Sequence, residues 1–142
     1  MMLRLFIDSS VLFTMCDSET GASSELVKLA EQKLVRLITS DYAFEEAANN
    51  LGKKKPRSIQ VLRILKEKTL WERVMPSSQD VEDAIPHVAD VFDAPIIAAA
   101  KQSQVDALVS FDRKHLYTLA VSKFINAPVI TAGQALQMVR LQ

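Results

Sequence analysis

The segment Val91–Leu116, VFDAPIIAAAKQSQVDALVSFDRKHL, constrains the fold of this 142-residue chain more than any other stretch. Asp93 opens an alanine-rich helical pattern over Ala94–Gln104, a polar turn follows, and Val105–Phe111 reads as a buried strand that ends at Asp112. Such a helix rises roughly 16 Å and the strand covers roughly 20 Å in return. The two lengths nearly cancel, so a chain that runs out along the helix and back along the strand brings Asp93 and Asp112 to the same end of the domain. Carboxylates held at one edge repel, and the remaining sequence must supply a reason for keeping them there.

The rest of the chain alternates strand and helix signals. Leu3–Asp8 is a consecutive apolar run ending in a carboxylate, with Ser9 and Ser10 after it as candidate helix caps. A run this uniformly apolar suits a strand of a parallel sheet covered on both faces. Leu26, Val27, Leu29, Ala30 and Leu34 recur at helical spacing, and Leu34–Thr39 reads as a second strand. Ser40 or Asp41 caps a helix with Phe44, Ala47, Ala48 and Leu51 on one face, and Gly52 is its expected stop. A basic loop, Lys53–Arg57, leads to a helix over Ser58–Lys68 and a short strand over Glu72–Met75. Ser77 or Ser78 then caps a helix carrying Val81, Ile85 and Val88, with Pro86 as a candidate kink. A last strand, Pro128–Ile130, and a last helix, Thr131–Leu141, close the chain. The alternation predicts one α/β domain over residues 1–142, with a mainly parallel central sheet and right-handed crossovers.

Composition narrows the function. Hydrophobic residues at 49% and charged residues at 24% belong to an ordinary globular chain, not a disordered one. No apolar run approaches the roughly 18 residues of a membrane span, and the apolar run at the N-terminus is too short for a secretory signal, so a cytoplasmic location is expected. Cys16 is the single cysteine, and no Cys/His spacing suits zinc. Seventeen basic and 17 acidic residues give zero net charge, so a nucleic acid would have to be met by a local patch. Lys53–Arg57 with Arg63, Lys66 and Lys68 is one candidate, and Arg113, Lys114 and His115 beside Asp112 are another. His115 and His87 read as structural or surface residues.

In open parallel sheets, functional groups collect beyond the carboxyl ends of the strands. Asp8 ends the first strand, Asp112 a later one, Asp93 opens a helix from the same edge, and the Glu45–Glu46 pair lies one or two helical turns past the second strand. Each acid has an ordinary reading alone. Asp93 could be an N-cap worth about 1 kcal/mol, Asp8 and Asp112 turn residues, and a helical glutamate a solvated one. Together they are costly: a like-charged pair 4 Å apart repels by about 4 kcal/mol at an effective dielectric of 20. An oxygen-only acidic cluster is what hard divalent cations such as Mg²⁺ or Mn²⁺ select, and a cation held this way serves phosphodiester hydrolysis.

The framing of these acids resembles a known family. FIDSSVL, FEEAANNL, DAPIIAAA and LVSFDRKHL, in this order, are similar to the four acidic motifs of PIN-domain nucleases, and in size the chain resembles the single-domain VapC-type toxins. The resemblance implies a three-layer α/β/α domain in which Asp8, Glu46, Asp93 and Asp112 are catalytic and hold Mg²⁺ or Mn²⁺. Glu46 fits the family pattern better than Glu45, because Ala47 and Leu51 supply the apolar residues one and five positions after the acid. Ser10 falls where the family often has Asn or Ser, and Ser110 where Thr is common, so both are expected to support the site. The implied activity is that of an endoribonuclease acting on RNA, with an antitoxin protein and a second copy of the chain as partners. Two other readings fit the same residues. One is a noncatalytic PIN-like binding module, and the other a phosphatase using Asp8 as nucleophile, although such enzymes usually carry a second Asp where Ser10 stands.

Overall fold

Short apolar runs buried on both faces set the architecture. The computed structural model describes residues 2–142. Its strands are β1 (Arg4–Ile7), β2 (Arg36–Thr39), β3 (Trp71–Arg73), β4 (Ala107–Val109) and β5 (Val129–Ile130), all parallel, in the order β3-β2-β1-β4-β5. Leu5 of β1 sits opposite Leu37 of β2 on one side and Ala107 of β4 on the other. Leu5, Phe6, Ile7, Leu37, Ile38, Ala107, Leu108 and Val109 are fully buried. Helices therefore have to cover both faces of the sheet.

They are α1 (Ser9–Asp17), α2 (Ala22–Glu31), α3 (Asp41–Lys54), α4 (Ile59–Glu67), α5 (Ser78–Ala84), α6 (Ala94–Ser103), α7 (Leu119–Ile125) and α8 (Ala132–Arg140). Packing groups α1 with α2, α3 and α4, and α2 with α8, whereas α6 lies between α5 and α7. The result is a three-layer α/β/α domain, with the chain winding outward from β1 to β3 and then returning to build β4 and β5 on the other side. Among the described residues no helix is long and apolar enough to cross a membrane.

Helix α6 is buried almost all round. Ala94, Ile96, Ile97, Ala98, Ala99 and Ala100 are in the core, and the small side chains let this helix lie close to its neighbours. At the opposite edge from the strand carboxyl ends, the Arg4 guanidinium makes two hydrogen bonds to Glu72 (3.1 and 2.7 Å) and one to the Ser103 carbonyl (2.9 Å). That side chain ties β1 to β3 and to the end of α6.

Several sequence expectations need correction. Ser9 and Ser10 do not cap α1; they lie inside it, and Asp8 takes the N-cap position because its extended backbone leaves the carbonyl to accept from Val11 and Leu12. Gly52 does not end α3, which continues to Lys54 because Leu51 is fully buried and its packing outweighs the propensity cost of one glycine. Leu34 is 51% exposed and belongs to the turn after α2, where Lys33 has a left-handed backbone (φ 62°), so β2 starts at Arg36. Strand β3 lies one to two residues earlier than Glu72–Met75, and β4 is shorter at both ends than Val105–Phe111. Pro86 does not kink a continuing helix: α5 stops at Ala84, and Ile85–His87 forms a separate 3-10 turn. Helix α7 is absent from the sequence reading altogether.

Candidate functional site

Strand order β3-β2-β1-β4-β5 reverses direction at β1, and the crevice beyond β1 and β4 is where such a sheet offers room for a site. Asp8 lies there at the end of β1, its amide donating to the Val109 carbonyl (3.0 Å). The Asp8 side chain is only 4% exposed. Its Oδ2 accepts from Ser110 Oγ at 2.7 Å and from Ser10 Oγ at 2.9 Å, while Oδ1 has a single long contact, from Ser9 Oγ at 3.5 Å. Both serine hydroxyls carry a second duty. Ser10 Oγ accepts from the Phe111 amide and Ser110 Oγ from the Asp112 amide, each at 3.0 Å, so the two serines fasten the turn after β4 onto the end of β1. Tyr117 completes the fastening by donating its hydroxyl to the Ser110 carbonyl (2.6 Å).

Asp112 follows this turn. Its carboxylate accepts from the His115 amide (3.2 Å) and lies 3.1 Å from His115 Nδ1. Asp93 arrives from the other direction, at the start of α6. It occupies the N-cap position but makes no capping hydrogen bond; Asp90 instead accepts from the Phe92 amide (3.0 Å). One oxygen of Asp93, Oδ2, is buried with no hydrogen-bond partner, and no other buried side-chain polar atom is in that condition among the described residues. Ligand atoms of Asp93, Asp112 and His115 lie within 4.8 Å of one another.

Glu46 and Glu45 part company on α3. Glu46 is half-buried and faces the acids, whereas Glu45 is exposed on the rim of a groove of about 790 Å³ that Phe44, Ile59, Leu62, Arg63 and Lys66 also line. The electrostatics follow from crowding. Burial pushes the Glu46 carboxyl up to about 7; the Ser9 hydroxyl pulls it back, while Asp8, Asp93 and Asp112 raise it further. Burial likewise raises Asp93 to about 6, with Asp112, Asp8 and Asp90 adding to it and His115 opposing. Asp8 is also raised, by burial first, against the hydroxyls of Ser110 and Ser10.

The structure thus brings Asp8, Glu46, Asp93 and Asp112 to one edge, with Ser10 and Ser110 on Asp8. The tight donor set is narrower than that list: Asp8 and Glu46 stand outside it, and His115 stands within it. Sequence reading gave His115 at most a part in steering a phosphate beside Asp112, and no part in the donor set. Its spacing three residues after Asp112 was the available signal, and only the tight turn converts that spacing into contact. A buried carboxylate oxygen with no donor, among acids that raise one another's pKa, lacks a positive charge. Carboxylate oxygens with one imidazole fit a hard or borderline divalent cation. The proposed basic patches are partly engaged elsewhere: Lys55 lies 3.7 Å from Asp17, Lys68 3.4 Å from Glu31, and Arg113 stacks over the Tyr117 ring.

The sequence profile of the PIN domain matches residues 4–114. No curated protein sequence matches significantly. Two solved structures share the fold. PAE2754 from Pyrobaculum aerophilum superposes over the full length of both chains with a TM-score of 0.67 at 16% identity. VapC20 of Mycobacterium tuberculosis, described as a toxin that cleaves the sarcin-ricin loop, superposes with a TM-score of 0.61 at 16% identity, over 78% of this chain and 91% of its own.

Proposed function

Since this chain belongs to the PIN-domain family, we propose that it is a metal-dependent endoribonuclease whose site is built on Asp93 and Asp112, with Asp8 and Glu46 beside them. The observation that carries this reading is the buried, partnerless Oδ2 of Asp93 in a crowd of acids. Mg²⁺ or Mn²⁺ would be held by the four carboxylates, with His115 as an additional donor. When bound, such a cation supplies a water of lowered pKa and neutralises charge that develops on a phosphoryl group.

The chain's own residues contribute position. Ser10 and Ser110 fix one oxygen of Asp8 and leave Oδ1 for the site. The same hydroxyls hold the amides of Phe111 and Asp112, which sets the direction of the Asp112 carboxylate. His115 lies against Asp112, which accepts from its amide and stands 3.1 Å from its Nδ1, and so holds the imidazole beside the acids. Lys114 and Arg113, exposed beside Asp112, are placed to meet an incoming phosphate. Ser10 spends its hydroxyl on Asp8, so no acid two residues after Asp8 is present to protonate a leaving group, which disfavours the phospho-aspartate alternative.

By family analogy the substrate is RNA, the products carry 5′-phosphate and 3′-hydroxyl ends, and the setting is a cytoplasmic toxin paired with an antitoxin and acting as a homodimer. The test is incubation with total RNA with and without Mn²⁺, followed by mapping of the cut ends. Asp93→Asn should lower cleavage by more than roughly 100-fold, beyond the 10- to 100-fold that changes around a metal ligand cause. The same variant should raise the metal-free melting temperature, because it removes a buried charge from the cluster. An Asp93→Asn protein that cleaves like the wild type would defeat the proposal.

A further inference from the structure

Large hydrophobic side chains scattered singly on a surface are ordinary, and Met75, Ile64 and Leu141 are of this kind. The aromatic residues are distributed differently. Of the six phenylalanines, all of them among the described residues, only Phe92 (69% exposed) and Phe111 (41%) lie in the exposed class. Phe92 immediately precedes Asp93 and Phe111 immediately precedes Asp112, the two acids whose carboxylates approach within 4.8 Å. The two outward-facing phenylalanines are thus each one residue from a candidate ligand, on elements that come from different parts of the chain.

Both rings sit on fixed backbone. The Phe92 carbonyl accepts from the Tyr42 hydroxyl (2.7 Å), and its amide donates to Asp90 (3.0 Å). The Phe111 amide donates to Ser10 Oγ, whose own proton goes to Asp8. An exposed ring on a pinned backbone loses little freedom when a flat partner covers it. The electrostatics select the partner. A cluster of carboxylates repels a phosphate backbone, and a chain of zero net charge has no general field to overcome that repulsion. Stacking on a neutral ring does not depend on that field, and every nucleobase offers a π-face. A base can lie on a ring only when it is unpaired and splayed from its neighbours.

We propose that Phe92 and Phe111 are stacking platforms for unpaired bases of single-stranded RNA at either acid of the site. This rests on the endoribonuclease reading for the identity of the nucleic acid, but concerns binding and not cleavage. It predicts little preference for base identity at the stacked positions.

The test uses the intact chain and fluorescence anisotropy of a labelled, unstructured RNA of about a dozen nucleotides, with a duplex of the same sequence as control, in EDTA and again in Ca²⁺. Phe92→Leu and Phe111→Leu should each weaken single-strand binding by roughly 5- to 100-fold. Phe92→Trp and Phe111→Trp should retain it, and the emission of the new indole should be quenched by the single strand. Duplex affinity and melting temperature should stay near wild-type values in all four variants. Leucine variants that bind like the wild type overturn the proposal, as does a wild-type chain that binds no single strand in either buffer. So does a leucine variant whose sedimentation changes while its RNA affinity does not, since the rings then belong to a protein interface. A wild-type chain that binds single strands through these rings but never cuts RNA with Mn²⁺ defeats the nuclease reading and leaves this one standing.

Discussion

At the scale of single residues, the Asp8 carboxylate shows what supporting hydroxyls do. Ser110 is fully buried, and its hydroxyl serves Asp8 and the Asp112 amide together. Ser110→Ala should therefore cost about 1.5–3 kcal/mol, the range for a hydrogen bond to a charged group, and weaken Mn²⁺ binding by roughly 10- to 100-fold. Chemical denaturation and calorimetric titration would measure the two effects, and a variant with wild-type metal affinity would remove Ser110 from the site. The raised carboxyls give a pH dependence with a definite sign. Glu46 titrates at about 7 against an ordinary 4.5, and Asp93 at about 6 against 3.8, chiefly through burial. Between these values the folded chain holds protons that the unfolded chain has released, so the stabilisation is complete below the unfolded values and is lost as pH rises through 6 and 7. Metal-free protein should melt lower at about pH 8 than at about pH 5, and Mn²⁺ should restore most of the difference; a melting temperature that rises over this interval in EDTA would contradict the geometry. Asp8, Asp93 and Asp112 were legible in the sequence because each follows a strand or opens a helix, whereas Glu46, inside α3, was separated from Glu45 only by the family resemblance. The duties of His115 and Ser110 were not legible, because they depend on how the turn after β4 rotates its side chains.

At the scale of elements, legibility tracked the strength of the local pattern. Strands β1, β2 and β4 announce themselves as apolar runs, and their burial on both faces accounts for the absence of alternation. Helix α7 was missed although it has a signal, since Thr118 caps it and Val121 and Ile125 are buried four residues apart. Seven residues are too few for that periodicity to stand out. Helix α3 is the opposite case, where a real local signal was overruled. Gly52 is a poor helix former, yet the helix continues past it, and a Cβ added there would meet Ile59 Cδ1 at an ordinary 3.7 Å. Gly52→Ala should thus stabilise the protein by about 0.5–1 kcal/mol, visible as a melting temperature raised by a few degrees with activity unchanged. A lower melting temperature would mean that α3 needs the freedom of glycine there.

At the scale of the whole molecule, the balance of 17 basic and 17 acidic residues limits how the proposed RNA substrate could be held. Only a few cations near the site remain for phosphate contact, so with about two to four contacts the slope of log K against log salt should be about −1.5 to −3. A slope near −6 would show a basic track that this molecule does not display. The mainly parallel sheet and the edge where the acids gather were readable from alternation and strand ends, and the three layers from the family resemblance. The fastening between the halves was not, because Ser10 and Ser110 meet only after the whole sheet has formed. Strand β1 is the middle strand although it is made first, and its neighbour β4 is among the last parts made. On the ribosome, Asp8 and Glu46 reach solution while Asp112 and His115 are still to be translated, and nothing in the emerging half can complete the site. The finished site can therefore assemble only after translation has passed β4, whatever chemistry it performs.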